Sequence, residues 1–158
     1  MKREDLPYRM CVGIMLLNKE NKAFIGKRID TRVSGWQMPQ GGIDENEDIE
    51  IAVFRELKEE TGTDNATIIA RTKDYHYYDL PDELLPRMWN GKYRGQQQIW
   101  FALKFLGDDS EINLNQYQPA EFNEWRWEEL SEIPNIIVNF KKQLYLDVIK
   151  ELTEEINK

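Results

Sequence analysis

Three glutamates, Glu56, Glu59 and Glu60, fall within five residues near the end of the stretch GGIDENEDIEIAVFRELKEETGT (Gly41 to Thr63), with Glu47 upstream. On a helix turning about 100° per residue, with Glu56 as origin, Glu60 lies near +40° and Glu59 near −60°. Ile49, Ala52 and Val53 come at about +20°, −40° and +60° on the same count, so the carboxylates continue an apolar side. Lys58 points roughly the opposite way. Ile51 and Phe54 share that far side, so the helix is expected to pack on more than one face. A purely solvated acidic face fits this pattern poorly. Carboxylates held on one stripe beside a core repel, by about 3 kcal/mol for a pair roughly 5 Å apart at an effective dielectric near 20. Raised pKa values, a basic partner or bound cations offset that repulsion. Arg55 projects to the side, where it can neutralise one charge. Divalent cations are the more economical answer, and a ligand set made only of oxygens suits Mg²⁺ or Mn²⁺. No His or Cys cluster favours zinc, and the lone His76, in a tyrosine-rich segment, reads as structural.

Several elements must position these side chains. CVGIMLLN reads as a buried strand, KENK as a turn and AFIGKR as the returning strand. VSGWQMPQGG reads as a loop punctuated by Pro39 and paired glycines. The acidic helix then starts, with Asp44 or Asn46 as N-cap and Glu47, Asp48 and Glu50 favourable in its first turn. Gly62 ends it in a left-handed conformation. ATIIART and DYHYYDL read as strand, PDELLPRMWNGKYRG as a long loop, and QQQIWFALKFLG as a strong strand. EWRWEEL is the last expected strand, and a helix covers about Val138 to Ile156. The mixture of strands and helices predicts α/β layers: a mixed sheet with helices packed on it.

Composition narrows the function classes. The 158 residues fit a single domain over 1–158, 41% hydrophobic and 32% charged, which is ordinary for a globular chain. A net charge of −8 argues against a general binder of nucleic acid such as duplex DNA, which carries a broad basic surface. One local site can still take a polyanion if cations lie between. The single cysteine, Cys11, cannot form an internal disulfide, fits a reducing cytoplasm and reads as a packed thiol. CVGIMLL is far too short to span a membrane.

The spacing Gly41, five residues, Glu47, seven residues, Arg55-Glu56-Leu57, Lys58, Glu59-Glu60, Thr61, Gly62 resembles the signature of the Nudix hydrolases. Seven fixed identities match in register, an accident of about 10⁻⁸ per starting position at about 7% frequency each. Thr63 departs from the pattern, which usually has an aliphatic residue there. The resemblance implies an α/β/α sandwich in which residues 41–63 form a loop-helix-loop holding metals against a pyrophosphate. WQMPQGG, GQQQIWF, EFNEWRW and VNFKK are similar, in order and spacing, to one branch. It contains bacterial RNA pyrophosphohydrolases and related dinucleoside polyphosphate hydrolases, and the likeness runs from about Tyr8 to Glu151.

By match of position, the resemblance implies Glu56, Glu59, Glu60 and Glu121 as metal ligands, with Gly41 letting the loop backbone approach. Arg55 and Glu47 match the supporting ion pair. Arg9, Arg28, Gln40, Gln96 and Gln98 would line the phosphate path; Phe140 would stack on a base with Lys141 beside it, and Tyr78 matches a further pocket aromatic. Trp36, Trp125 and Trp127 read as packing. Ile99 stands where the branch often has lysine, which implies one phosphate contact fewer. The implied reaction uses two or three Mg²⁺ or Mn²⁺ ions with substrate bound, and Glu56, Glu60 and Glu121 are all candidates for the base. The favoured substrate is the 5′-triphosphate end of RNA, cut to a 5′-monophosphate end as the start of messenger decay. Diadenosine tetraphosphate or a similar dinucleotide is the alternative, and a Nudix-fold module that binds nucleotides without hydrolysis is a third reading.

Overall fold

The structure, a computed structural model, describes residues 2–30 and 35–158. Val33 and Ser34, the start of the expected loop, lie outside the described residues. The centre of the sheet is a parallel pair. β1 (Tyr8–Leu17) runs beside β7 (Gly95–Phe105), in register from Tyr8 opposite Gly95 to Leu17 opposite Lys104. On the β1 side, β2 (Ala23–Arg28) and β4 (Gln40–Gly42) both pair antiparallel with β1, β4 against its first half. β3 (Trp36–Gln37) and β8 (Phe122–Glu128) pair with β2. β5 (Ala66–Arg71) and β6 (His76–Asp79) pair antiparallel with β7. The expected mixed sheet is present.

Alternation along the two central strands decides what covers each face. Val12, Ile14, Leu16, Ile99, Phe101 and Leu103 point to one side, against Ala52, Val53 and Leu57 of α1 (Ile49–Thr61). Met15, Leu17, Trp100 and Ala102 point to the other, against Leu144, Tyr145, Val148 and Leu152 of α3 (Lys142–Ile156). Both faces of the central strands are apolar because helices cover both. The result is the α/β/α sandwich.

α1 begins later than expected. Asp48, at φ −66° and ψ 139°, is the N-cap and accepts from the Glu50 amide at 3.2 Å. Asn46 cannot cap because it holds a left-handed turn, φ +63°, whereas a cap needs extended backbone. Asp44 instead donates its amide to the Glu47 carboxylate at 2.9 Å. Gly62 ends the helix as expected, at φ +84°, its amide donating to the Lys58 carbonyl at 2.8 Å. Phe54 packs against the α1-side core, but Ile51 is 62% exposed, so the helix does not pack on a second face there.

Other boundaries moved as well. The expected loop contains β3 and β4, whose backbone pairs with β2 and β1. β8 starts at Phe122, two residues earlier than expected. A short helix, α2 (Ile133–Ile136), precedes α3. Val138 is extended and Asn139–Lys141 form a 3-10 turn, so α3 starts only at Lys142. Thr63 is buried, where its hydroxyl accepts from the Asn65 amide at 3.1 Å and meets the Glu111 carboxylate at 3.4 Å. Hydrogen bonds thus replace the aliphatic contact. No helix among the described residues is long and apolar enough to cross a membrane.

Candidate active site

The end of α1, the β4 backbone, the starts of β1 and β7, and the turn before α3 enclose a cavity of about 320 Å³. Its lining includes Arg9, Arg28, Gln40, Gly41, Glu56, Glu59, Glu60, Tyr78, Gln96, Glu121, Phe140 and Lys141. All were singled out in the sequence, and they come from segments more than a hundred residues apart. Gln98 is the exception: it does not line the cavity but lies fully buried behind Gln40 and Gln96. Ile99 is also off the cavity. It points into the α1-side core, so a missing lysine at this position removes no contact from the lining.

One wall is acidic. Arg55 organises much of it, donating through Nε and Nη2 to both oxygens of Glu47, at 2.7 and 2.8 Å. Its Nη1 donates to Glu56 at 2.8 Å and reaches Glu59 at 3.4 Å, and its Nη2 also donates to the Gly42 carbonyl at 2.8 Å. Arg55 therefore shares its one charge among three carboxylates. The pairing holds Glu47 at about 2, below the usual carboxylate range. Glu59, its side chain 48% exposed, stands at the rim instead of facing inward with the other two. Burial raises Glu56 to about 7, against the opposing pull of Arg55. Glu60 is 5% exposed and is pushed well above the carboxylate range, first by burial, then by Glu121 and Glu56. The Gln40 backbone amide donates to its Oε1 at 3.1 Å.

This donor set fits hard divalent cations. It is made of oxygens, and Glu60 is a buried carboxylate with no ion pair among the described residues, close enough to Glu56 and Glu121 to be repelled by both. A Cβ on Gly41 would fall onto the Glu56 carboxylate, so only glycine lets the loop lie this close. As arranged, no three acidic, His or Cys side chains among the described residues converge on one point. Arg55 holds Glu56 at 2.8 Å and reaches Glu59 at 3.4 Å.

The opposite wall is basic. Lys141 is 2% exposed, donates to the Gln37 Oε1 at 3.3 Å and lies 5.2 Å from the Tyr78 ring centre. Burial, then the nearby Arg28, lowers it to about 7. Arg28 Nη1 donates to the same Gln37 oxygen at 3.2 Å, and its Nη2 is 3.5 Å from Asp30. The buried Arg28 Nε has no hydrogen-bond partner among the described residues. Arg9 lies over the Trp89 ring, 5.6 Å from its centre, and touches Cys11 Sγ at 3.6 Å. Phe140 tilts against Tyr78 with ring centres 5.7 Å apart.

Asp30, Trp89 and Gln37 escaped the sequence reading. Trp89 sits at the rim in a turn where it and Asn90 have positive φ, +48° and +57°. Its one signal was an aromatic residue within a long polar loop. Gln37 clamps two cations from β3; it lies within WQMPQGG but was given no role there. His76 is away from the cavity, its Nε2 2.8 Å from Glu151 of α3, as a structural histidine would be. Cys11 is buried and its thiol is pushed up to about 11 by burial, which leaves it an inert core group. Trp125 and Trp127 pack on Phe24, and Trp36 lies under Arg126.

The NUDIX domain model matches residues 7–148, and the chain belongs to that family of hydrolases, which generally use divalent metal ions. Among curated proteins it is similar to the RNA pyrophosphohydrolase of Novosphingobium aromaticivorans, 50% identical over 152 residues and 94% of each chain. It is 52% identical over 150 residues to the RNA pyrophosphohydrolase of Rickettsia canadensis, covering 95% of this chain and 92% of that one. Among solved structures, a C. elegans Ap4A hydrolase binary complex superposes with TM-score 0.67 at 19% identity, covering 94% of this chain and 98% of that one. A MutT protein from Methanosarcina mazei gives 0.64 at 19% identity, covering 98% and 99%. These last two likenesses show the fold.

Proposed function

We propose that the chain hydrolyses the 5′-terminal triphosphate of RNA to a 5′-monophosphate end, the step that opens a messenger to decay. What supports this most is identity near 50%, over 94% or more of the chain, with relatives named RNA pyrophosphohydrolase. The cavity is consistent with it, since an acidic wall facing a basic one suits cations on one side and phosphates on the other. The chain is read as one cytoplasmic domain over residues 1–158, with neither membrane nor duplex DNA as a partner.

In this reading Glu56, Glu59, Glu60, Glu121 and the Gly41 carbonyl would hold two or three Mg²⁺ or Mn²⁺ ions when substrate is bound. Bound ions would neutralise the phosphate chain and acidify a water. The protein's own side chains do the remaining work. Arg9 and Arg28 hold phosphate oxygens, for which the guanidinium fork is well shaped. The amides of Gln40 and Gln96 supply neutral donors beside them. Phe140 stacks on a base with Tyr78 behind it, and Lys141 holds the first nucleotide. One of Glu56, Glu60 and Glu121 takes the proton of the attacking water. Arg55 and Glu47 support the loop.

Hydrolysis of 5′-triphosphorylated RNA and of diadenosine tetraphosphate, compared with Mg²⁺ at equal concentrations, tests the assignment. Faster turnover of the RNA, leaving a 5′-monophosphate end, is expected. Preference for the dinucleotide would move the chain to the alternative substrate class. Binding without hydrolysis of either would make it a nucleotide-binding module.

A further inference from the structure

Behind the cavity lies a chain of four hydrogen-bonding side chains whose direction is set by one residue. The Trp100 indole is fully buried, and its Nε1 can only donate. It donates to the Gln98 Oε1 at 2.7 Å. That contact fixes which end of the Gln98 amide faces the core, a choice an amide does not make by itself. The Gln98 Nε2 then points outward with two hydrogens. It gives one to the Gln40 Oε1 at 3.1 Å and one to the Gln96 Oε1 at 2.5 Å. With both carbonyl oxygens engaged from behind, the NH₂ groups of Gln40 and Gln96 are directed away from Gln98, and both residues line the cavity.

We infer that Trp100 and Gln98 are positioning residues that set the polarity of the cavity's amide wall, so that Gln40 and Gln96 present N–H donors, and not carbonyl oxygens, to phosphate. The inference rests on the reading of the cavity as a polyphosphate site. The relay is anchored well. Trp100 fits against Gly13, where any Cβ would collide with its ring, and packs edge-on against Tyr145 at 5.5 Å. Tyr145 in turn accepts from the Met38 amide at 2.9 Å, two residues before Gln40. Glycine at 13 thus makes room for the indole that orients an amide two contacts away.

The test follows the side-chain amide resonances of isotopically labelled protein during titration with inorganic tripolyphosphate, alongside KM and kcat of Trp100→Phe. The wild-type Gln40 and Gln96 side-chain amide protons are expected to shift with tripolyphosphate, together with the Arg9 guanidinium. Trp100→Phe keeps a ring but loses the donor. It should raise KM about tenfold with kcat nearly unchanged, because one reversed amide turns an attractive phosphate contact into a repulsive one. Shifts at Arg9 without shifts at the Gln40 and Gln96 amides would overturn the relay while leaving the polyphosphate site standing. No shift at any cavity residue would remove the polyphosphate reading itself. Should Trp100→Phe fold poorly, the wild-type titration alone decides. A folded Trp100→Phe with wild-type KM would also overturn the relay.

Discussion

The two walls of the cavity carry opposite charge and are stabilised in opposite ways. The acidic wall has a cation of its own: Arg55 spans Glu47, Glu56 and Glu59, so part of its charge is balanced before anything binds. On the basic wall Arg28 reaches Asp30 at 3.5 Å, but Lys141 has no ion pair among the described residues. Lys141 is buried against a glutamine oxygen and an aromatic ring, and burial lowers it to about 7. Arg28 shares that same oxygen, and the two cations repel. The acidic wall is preorganised around Arg55 except at Glu60, which is buried and repelled by Glu56 and Glu121, while the basic wall leaves Lys141 as a liability that an anionic ligand relieves. A site built for function tolerates such a penalty where a site built for stability would not.

Substitutions can break this contrast. The largest effect is expected from Glu60→Gln, which keeps the shape but removes the buried charge facing Glu56 and Glu121. Turnover should fall by at least about 10³-fold while the circular dichroism stays native and the melting temperature does not fall. Retained hydrolysis in that folded variant would count against the site. Arg55→Ala comes next. It strips the acidic wall of its cation and should cost about 2–3 kcal/mol in denaturant unfolding, because Glu47 and Glu56 lose charged hydrogen bonds together. An unchanged midpoint would mean that the wall is not held by Arg55.

Lys141→Met sharpens the comparison from the other side. The stem stays and the buried charge goes, so the melting temperature should rise by about 3 °C while KM for triphosphorylated RNA rises about tenfold. A drop in both stability and affinity would contradict the idea of a liability. The smallest effect concerns acid. The Glu47 carboxylate is lowered from 4.5 to about 2, so its contribution is complete above about 4.5 and disappears as pH falls toward 2. The melting difference between wild type and Glu47→Gln should therefore shrink over that window. A difference that stays constant down to about pH 2 would place the stabilisation elsewhere.

Much of this was legible in the sequence, for physical reasons that differ by residue. The glutamate spacing on α1 read correctly for Glu56 and Glu60 because a helix has one period. It did not show that Glu59 lines the cavity at its exposed rim, since a wheel gives an angle but not how far the neighbouring loop extends to cover it. The N-cap went to Asp48 and not to Asp44 or Asn46 because caps are chosen by backbone torsion, and several acidic residues in a row carry the same chemical signal. Gln98 was placed on the phosphate path with Gln40 and Gln96. Strand alternation identified its face but not its depth. Trp89 and Gln37 were given no role, since their roles come from what long-range folding brings beside them: Arg9 for one, Arg28 and Lys141 for the other. The start of α3 slipped by four residues, where Val138 is extended and a 3-10 turn carries Phe140 and Lys141 to the cavity.

The central claim is that the two walls meet across one bound substrate, cations on the carboxylate side and phosphates on the basic side. A crystal soaked with Mn²⁺ and a non-hydrolysable nucleoside triphosphate, read by anomalous scattering, tests it most directly. Manganese peaks among Glu56, Glu60 and Glu121, with phosphate density reaching toward Arg9, Arg28 and Lys141, are the expected result. Manganese bound elsewhere, with Glu56 still held by Arg55 and the cavity filled by water, would contradict it.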